Sequence, residues 1–229
     1  MRISGFQKMT LLDFPGRVAA TVFTFGCNLR CPFCHNASLV VGKNDVTFTE
    51  DEILTYLNKR QGLLDGVCIT GGEPLLQPGI ADFIKKIKDL GYAVKLDTNG
   101  CYPEKLKELV NAGLVDYVAM DLKNCFEKYA VTVGIENFDT APIKESVNFL
   151  IASGIDFEFR TTIVKELHTV EDIKTLSNEI KGAKKYFLQN FVDSGDIIGE
   201  GLSAHDKSVL EQMKAAAEKT LDVVEIRGI

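Results

Sequence analysis

The chain has 229 residues, 45% of them hydrophobic and 25% charged, enough to bury a sizeable core without disulfide staples. Its 26 basic and 32 acidic side chains leave a net charge of −6, which argues against nucleic-acid or membrane-surface binding, both of which favour basic patches. No apolar run approaches the roughly 18 residues of a membrane span and the N-terminus carries no apolar signal region; a cytoplasmic protein is expected, its six cysteines reduced and serving as ligands or buried thiols.

Apolar β-rich runs alternate with helical patterns along a single expected domain, 1–229, without repeats or linkers. Strands are expected at 18–25, 66–70, 92–97, 115–121, 155–163, 185–191 and 222–227. Helices are expected near 50–60, 79–90, 103–112, 141–153, 170–181 and 204–219. The first helix opens on Thr49 and Glu52, at capping-box spacing. The second places Ile80, Phe83, Ile84, Ile87 and Leu90 on one face and stops before Gly91. Such alternation gives parallel strands joined by right-handed crossovers. About six units are too few to close an eight-stranded barrel, so the expected fold is α/β, a partial (open) parallel β/α barrel. In such sheets ligands gather at the C-terminal ends of the strands.

The residues with chemistry fall at those ends. After the first expected strand come Cys27, Cys31 and Cys34 in one short loop, Gly26-Cys27-Asn28-Leu29-Arg30-Cys31-Pro32-Phe33-Cys34-His35-Asn36. Thiolates are soft ligands suited to an iron–sulfur cluster, and three of them on a four-iron cubane leave one iron open to a ligand. A zinc knuckle is the competing reading, although His35 follows Cys34 too directly to complete a tetrahedron with ease. Three unrelated buried cysteines would not crowd one loop in this way.

Thr70-Gly71-Gly72-Glu73-Pro74 follows the second strand. Glycines without a Cβ let backbone approach a ligand, and Glu73 can accept a hydrogen bond from an ammonium group; taken alone, the motif is also a common strand-to-helix turn. Asp97-Thr98-Asn99-Gly100 ends the third strand and Met120-Asp121-Leu122-Lys123 the fourth. Alone these read as an Asn-Gly turn and solvated charges, but ends of successive strands should be neighbours. Arg160 lies within the fifth strand, where a charge needs a partner or a ligand. Cys68 reads as a small buried hydrophobe, and Cys101 and Cys125 as loop or packing cysteines. The three histidines show no metal-site spacing. Ser194, Gly195, Gly199 and Gly201 make 193–203 the late segment with the composition of a flexible loop.

The cysteine loop, with an aromatic residue before its last cysteine, resembles the signature of the radical S-adenosylmethionine superfamily. The stretch Leu11-Leu12-Asp13-Phe14-Pro15-Gly16-Arg17 and the ending Cys34-His35-Asn36 are similar to glycyl-radical-enzyme activating proteins, most nearly the branch acting on anaerobic ribonucleoside-triphosphate reductase. That resemblance implies a 4Fe–4S cluster on Cys27, Cys31 and Cys34, its open iron chelated by S-adenosylmethionine. It places Phe33 and His35 at the cofactor, with Gly71, Gly72 and Glu73 at the methionyl amino group. Asp97, Thr98 and Asp121 would help hold a monovalent cation beside the cofactor carboxylate, with Lys123 and Arg160 close by. Asp13 would sit at the rim and position an incoming glycine loop. The implied activity is reductive cleavage of S-adenosylmethionine to a 5′-deoxyadenosyl radical, which takes hydrogen from a glycine of the partner. The implied partners are a glycyl-radical enzyme, here anaerobic ribonucleotide reductase, and a flavodoxin or ferredoxin donor. Gln189-Asn190 departs from the pyruvate formate-lyase activating pattern, which carries a histidine nearby. The rival readings are a radical enzyme acting on a small molecule, of the 7-carboxy-7-deazaguanine synthase type, and a plain electron-transfer protein.

Overall fold

A strand that the hydrophobic pattern does not announce opens the fold. In the computed structural model, which describes residues 1–42 and 47–228, β1 (Ile3–Thr10) is followed by β2 (Ala19–Thr24), α1 (Ala37–Val41), α2 (Glu50–Asn58), β3 (Gly66–Gly71) and α3 (Ile80–Asp89). Then come β4 (Ala93–Thr98), α4 (Pro103–Asn111), β5 (Tyr117–Asp121), α5 (Tyr129–Val133), α6 (Ala141–Ser153) and β6 (Asp156–Ile163). The chain closes with α7 (Val170–Glu179), β7 (Tyr186–Asn190), α8 (Lys207–Ala217) and β8 (Val224–Arg227). The strands lie in the sheet in chain order, β1 to β8. β1 runs antiparallel to β2, while β2–β3, β3–β4, β6–β7 and β7–β8 are parallel pairs. The expected α/β fold with a parallel sheet is borne out. Among the described residues no helix is long and apolar enough to cross a membrane.

The expected strands and helices all form, with ends shifted by a few residues. β1 escapes notice because only Ile3 and Thr10 at its ends are buried, so it has no two-residue alternation to read. The capping box at Thr49 forms as the sequence implies: Thr49 Oγ1 accepts from the Glu52 amide and the Glu52 carboxylate accepts from the Thr49 amide. A second, Thr169 with Asp172, starts α7.

The residues group into two compact units interleaved in sequence. The first holds Met1–Asn28, Ser38–Thr98 and Tyr102–Ala119. On one face of its sheet the register aligns Thr21 with Cys68 and Cys68 with Lys95. The other face carries Ala20, Val22, Val67, Ile69, Val94 and Leu96, all fully buried. Helix α3 buries Ile80, Phe83, Ile84 and Ile87, each worth about 1.5–3 kcal/mol against exposure. At the start of the strands Phe14 packs on Ala19, Tyr117 and Ala93.

The second unit holds Leu29–Ala37, Asn99–Cys101 and Met120–Ile229. Its sheet face carries an ion pair in which the Arg227 guanidinium grips both oxygens of buried Glu158, at 3.0 and 3.1 Å, and lies over the Phe187 ring. Tyr186 Oη donates to Thr161 Oγ1 at 2.9 Å. Helices α7 and α8 pack together and α8 covers β8.

Candidate cofactor site

In the first unit, the end of β2, the start of the cysteine loop and the end of β3 share one web of backbone bonds. Gly26 N donates to Leu39 O, Gly72 N to Thr24 O and Glu73 N to Gly26 O, at 2.8, 2.9 and 2.8 Å. The two glycines of the Gly71-Gly72 pair admit this approach. A Cβ on Gly71 would stand 2.3 Å from Thr24 N, and one on Gly72 would stand 2.0 Å from Gly26 O. The close approach expected of a ligand is thus made first of all by the protein's own cysteine-bearing backbone.

Glu73 is fully buried. Its Oε1 accepts from Leu75 N at 3.0 Å, capping the 3-10 turn Pro74–Leu76, and from Thr98 Oγ1 at 2.8 Å. Thr98 and Glu73 are therefore locked to one another at the C-terminal ends of β4 and β3. Asp97, one residue earlier, carries the buried Lys95 ammonium on Oδ1, and the Cys68 thiol lies 3.8 Å from that same oxygen.

The second unit seats the rest of the cysteine loop. Arg30 N donates to Val133 O at 3.0 Å, and Gly199 N donates to Pro32 O at 2.7 Å. The segment 193–203, which reads as a flexible loop, is thus fastened to the cysteine loop at Gly199, where a Cβ would stand 2.7 Å from Pro32 Cβ. Cys34 N donates to Cys31 O at 3.1 Å, a turn that folds these two cysteines together. Phe33 is buried, with its ring edge-on to His168 at 6.3 Å, and His35 tilts against Phe191 at 5.6 Å. Desolvation and the nearby Lys123 charge hold the His35 imidazole below its ordinary pKa, against the opposing pull of Asp193.

Asp121, Lys123 and Arg160 form one cluster. Arg160 Nε donates to Asp121 Oδ1 at 2.8 Å and Lys123 Nζ to Asp121 Oδ2 at 3.3 Å. Burial alone would raise the Asp121 carboxyl. The charges of Arg160 and Lys123 outweigh it and hold the group at about 2. Burial would likewise lower Lys123, but Asp121 first, and then Cys31, Tyr129 and Cys34, hold it above its ordinary value. The Lys123 ammonium therefore lies within electrostatic reach of two of the three motif thiols. His168 fixes this residue's backbone, its Nε2 lying 2.7 Å from Lys123 O. His168 is buried, and that burial pulls its pKa down.

Asp13 lies directly before β2, as the sequence reading has it. Thr10 pairs with Ala19, so residues 11–18 form the hairpin between β1 and β2, at the N-terminal ends of the parallel strands. Its Oδ2 accepts from Thr21 Oγ1 at 2.6 Å. Cys27, Glu73 and Asp97 belong to the opposite, C-terminal ends. Thr21 aligns with Cys68 and Cys68 with Lys95, so Asp13 reaches the sheet face that also carries Asp97.

Residues 21–180 match the model of the radical SAM superfamily. Over 99% of its length and 96% of the relative's, the chain is 32% identical to a Methanocaldococcus jannaschii protein named for glycyl-radical enzyme activation. The chain belongs to the radical SAM superfamily, among its glycyl-radical enzyme activating enzymes. It is also 31% identical to the pyruvate formate-lyase-activating enzyme of Clostridium pasteurianum, over 80% of this chain and 77% of the other. Streptococcus suis SuiB, solved bound to S-adenosylmethionine, shares the fold with a TM-score of 0.70 at 14% identity, over 89% of this chain and 48% of that longer one.

Radical SAM enzymes hold a 4Fe–4S cluster and S-adenosylmethionine, and the donor set here suits them. Cys27, Cys31 and Cys34 form no disulfide, Cys31 buried and the others half-buried. Among the described residues no three His, Cys, Asp or Glu side chains meet at one point fit for a single ion. A cubane takes one thiolate at each of three irons and asks for spacing, not convergence. Two residues of this region went unread in the sequence: Lys95, whose signal was a charge two positions before Asp97 in an apolar strand, and His168, which carried no local signal.

Proposed function

We propose that this radical SAM enzyme activates a glycyl-radical enzyme by taking hydrogen from the Cα of one glycine, and that the partner is an anaerobic ribonucleotide reductase. The observation that carries the reading is the similarity over nearly the whole length of both chains to a relative named for glycyl-radical enzyme activation. The similarity of the Leu11–Arg17 stretch supports the choice of partner. When bound, cluster and cofactor together supply reductive cleavage of a sulfonium carbon–sulfur bond and the hydrogen-abstracting radical that results. The chain binds and orients. Cys27, Cys31 and Cys34 ligate the cluster, and Glu73, with Thr98 holding it and Gly71-Gly72 shaping the turn, receives the methionyl ammonium. By the family resemblance Phe33 would lie against the adenine, His35, Lys123 and Arg160 would lie close to the cofactor, and Asp97 and Asp121 would lie beside its carboxylate. A flavodoxin or ferredoxin supplies the electron, and the whole chain acts as one catalytic domain.

The test is electron paramagnetic resonance of anaerobic, reconstituted enzyme mixed with reductant, S-adenosylmethionine and the reductase from the same cell. A glycyl radical is expected on the reductase, with deuterium from labelled glycine carried into 5′-deoxyadenosine. A radical formed instead on a pyruvate formate-lyase would reassign the partner. Cofactor cleavage with no protein radical, but with turnover of a small molecule, would replace the proposal by the small-molecule reading.

A further inference from the structure

We infer that Lys95 supplies, from within the protein, the positive charge that the family resemblance assigns to a monovalent cation at Asp97, so that cofactor binding is indifferent to potassium and sodium. The inference rests on the reading that Asp97 lies beside S-adenosylmethionine. The residues that would hold such a cation do not suit it. Lys95 is only 2% exposed, and a lysine is so deeply buried almost only when paired. Its partner is Asp97: the two project from the same face of β4, and the ammonium rests on Asp97 Oδ1. Its other near neighbour is the fully buried Cys68 thiol, 3.8 Å from Nζ. A sulfur is a poor ligand for a hard alkali cation, which seeks oxygen, whereas an ammonium needs only a hydrogen-bond acceptor and a counter-charge. A second monocation on the same carboxylate would face Lys95 at contact distance in a site shielded from water, where like charges repel strongly. In the other unit Asp121 is likewise committed, to Arg160 and Lys123. Both carboxylates thus carry side-chain cations.

The test is calorimetric titration of the reconstituted holoenzyme with S-adenosylmethionine, at equal ionic strength, in potassium, sodium or tetramethylammonium chloride. Affinities within about twofold of one another are expected, a difference under about half a kcal/mol. A saturable rise in affinity with potassium or sodium overturns the inference. Lys95→Met should bind about tenfold more weakly in all three salts; folded Lys95→Met protein with the wild-type affinity in tetramethylammonium also overturns it. Should Lys95→Met fail to fold, the wild-type titration still decides. Asp97→Asn isolates the underlying reading: unchanged cofactor affinity there would remove Asp97 from the cofactor site, whatever the wild-type ion dependence.

Discussion

Gly72 has no room for a side chain, because the added carbon would fall 2.0 Å from Gly26 O. Gly72→Ala is therefore expected to displace the start of the cysteine loop and to lower iron uptake on reconstitution well below that of wild type. Full uptake measured by iron and sulfide analysis would show that the contact yields easily. Cys27→Ala, Cys31→Ala and Cys34→Ala should each lose the roughly four irons of a cubane, whereas Cys68→Ala should keep them. Any of the first three retaining a full cluster would leave the ligand set. Glu73→Gln keeps an oxygen for the Leu75 and Thr98 bonds while removing the charge. It should hold iron normally and bind S-adenosylmethionine more weakly by about 1–3 kcal/mol, as calorimetry can show. The cysteine loop and the Gly71-Gly72-Glu73 turn were legible because their residue types are rare and their spacing is tight. Lys95 was not, although the argument that singled out Arg160, a charge within a strand, applies to it equally; its nearness to Asp97 depends on the two-residue pleat.

β5 and β6 are tied at their C-terminal ends by Leu122 N to Arg160 O and by the Arg160–Asp121 ion pair, both 2.8 Å. Asp121 is depressed from an ordinary value of 3.8 to about 2. A depressed carboxyl stabilises the fold fully above its ordinary pKa, and that contribution disappears as pH falls through its folded value. Acid unfolding of the cluster-free protein should thus steepen between about 4 and about 2. Asp121→Asn should flatten that window and lower stability at neutral pH by about 1–3 kcal/mol, since Arg160 and Lys123 lose their counter-charge. Unchanged acid dependence by circular dichroism would show that the pair adds nothing net. The interior elements were predictable because their strands are continuous apolar runs and their helices carry a regular stripe. β1 lies at the edge and buries little, so its pairing with β2 rests on backbone bonds that composition does not reveal.

The parallel strands start at one end of the sheet and finish at the other. Asp13 and Phe14 belong to the N-terminal end, where Phe14 plugs against Ala19 and Tyr117 and Asp13 bonds Thr21. If Asp13 positions the incoming glycine loop, as the family resemblance implies, Asp13→Ala should lower the number of partner radicals formed per cofactor cleaved. An unchanged ratio with a lowered thermal midpoint would make Asp13 a residue of the fold alone, through its bond to Thr21. The acidic balance of the whole chain, −6, gives no reason to expect nucleic-acid binding. The cysteine loop also bears on how the fold assembles. Its backbone is anchored at Arg30 by Val133 and at Pro32 by Gly199, residues distant from it along the chain, so this part of the loop takes its place only once those late segments have closed upon it, a slow kind of contact to form.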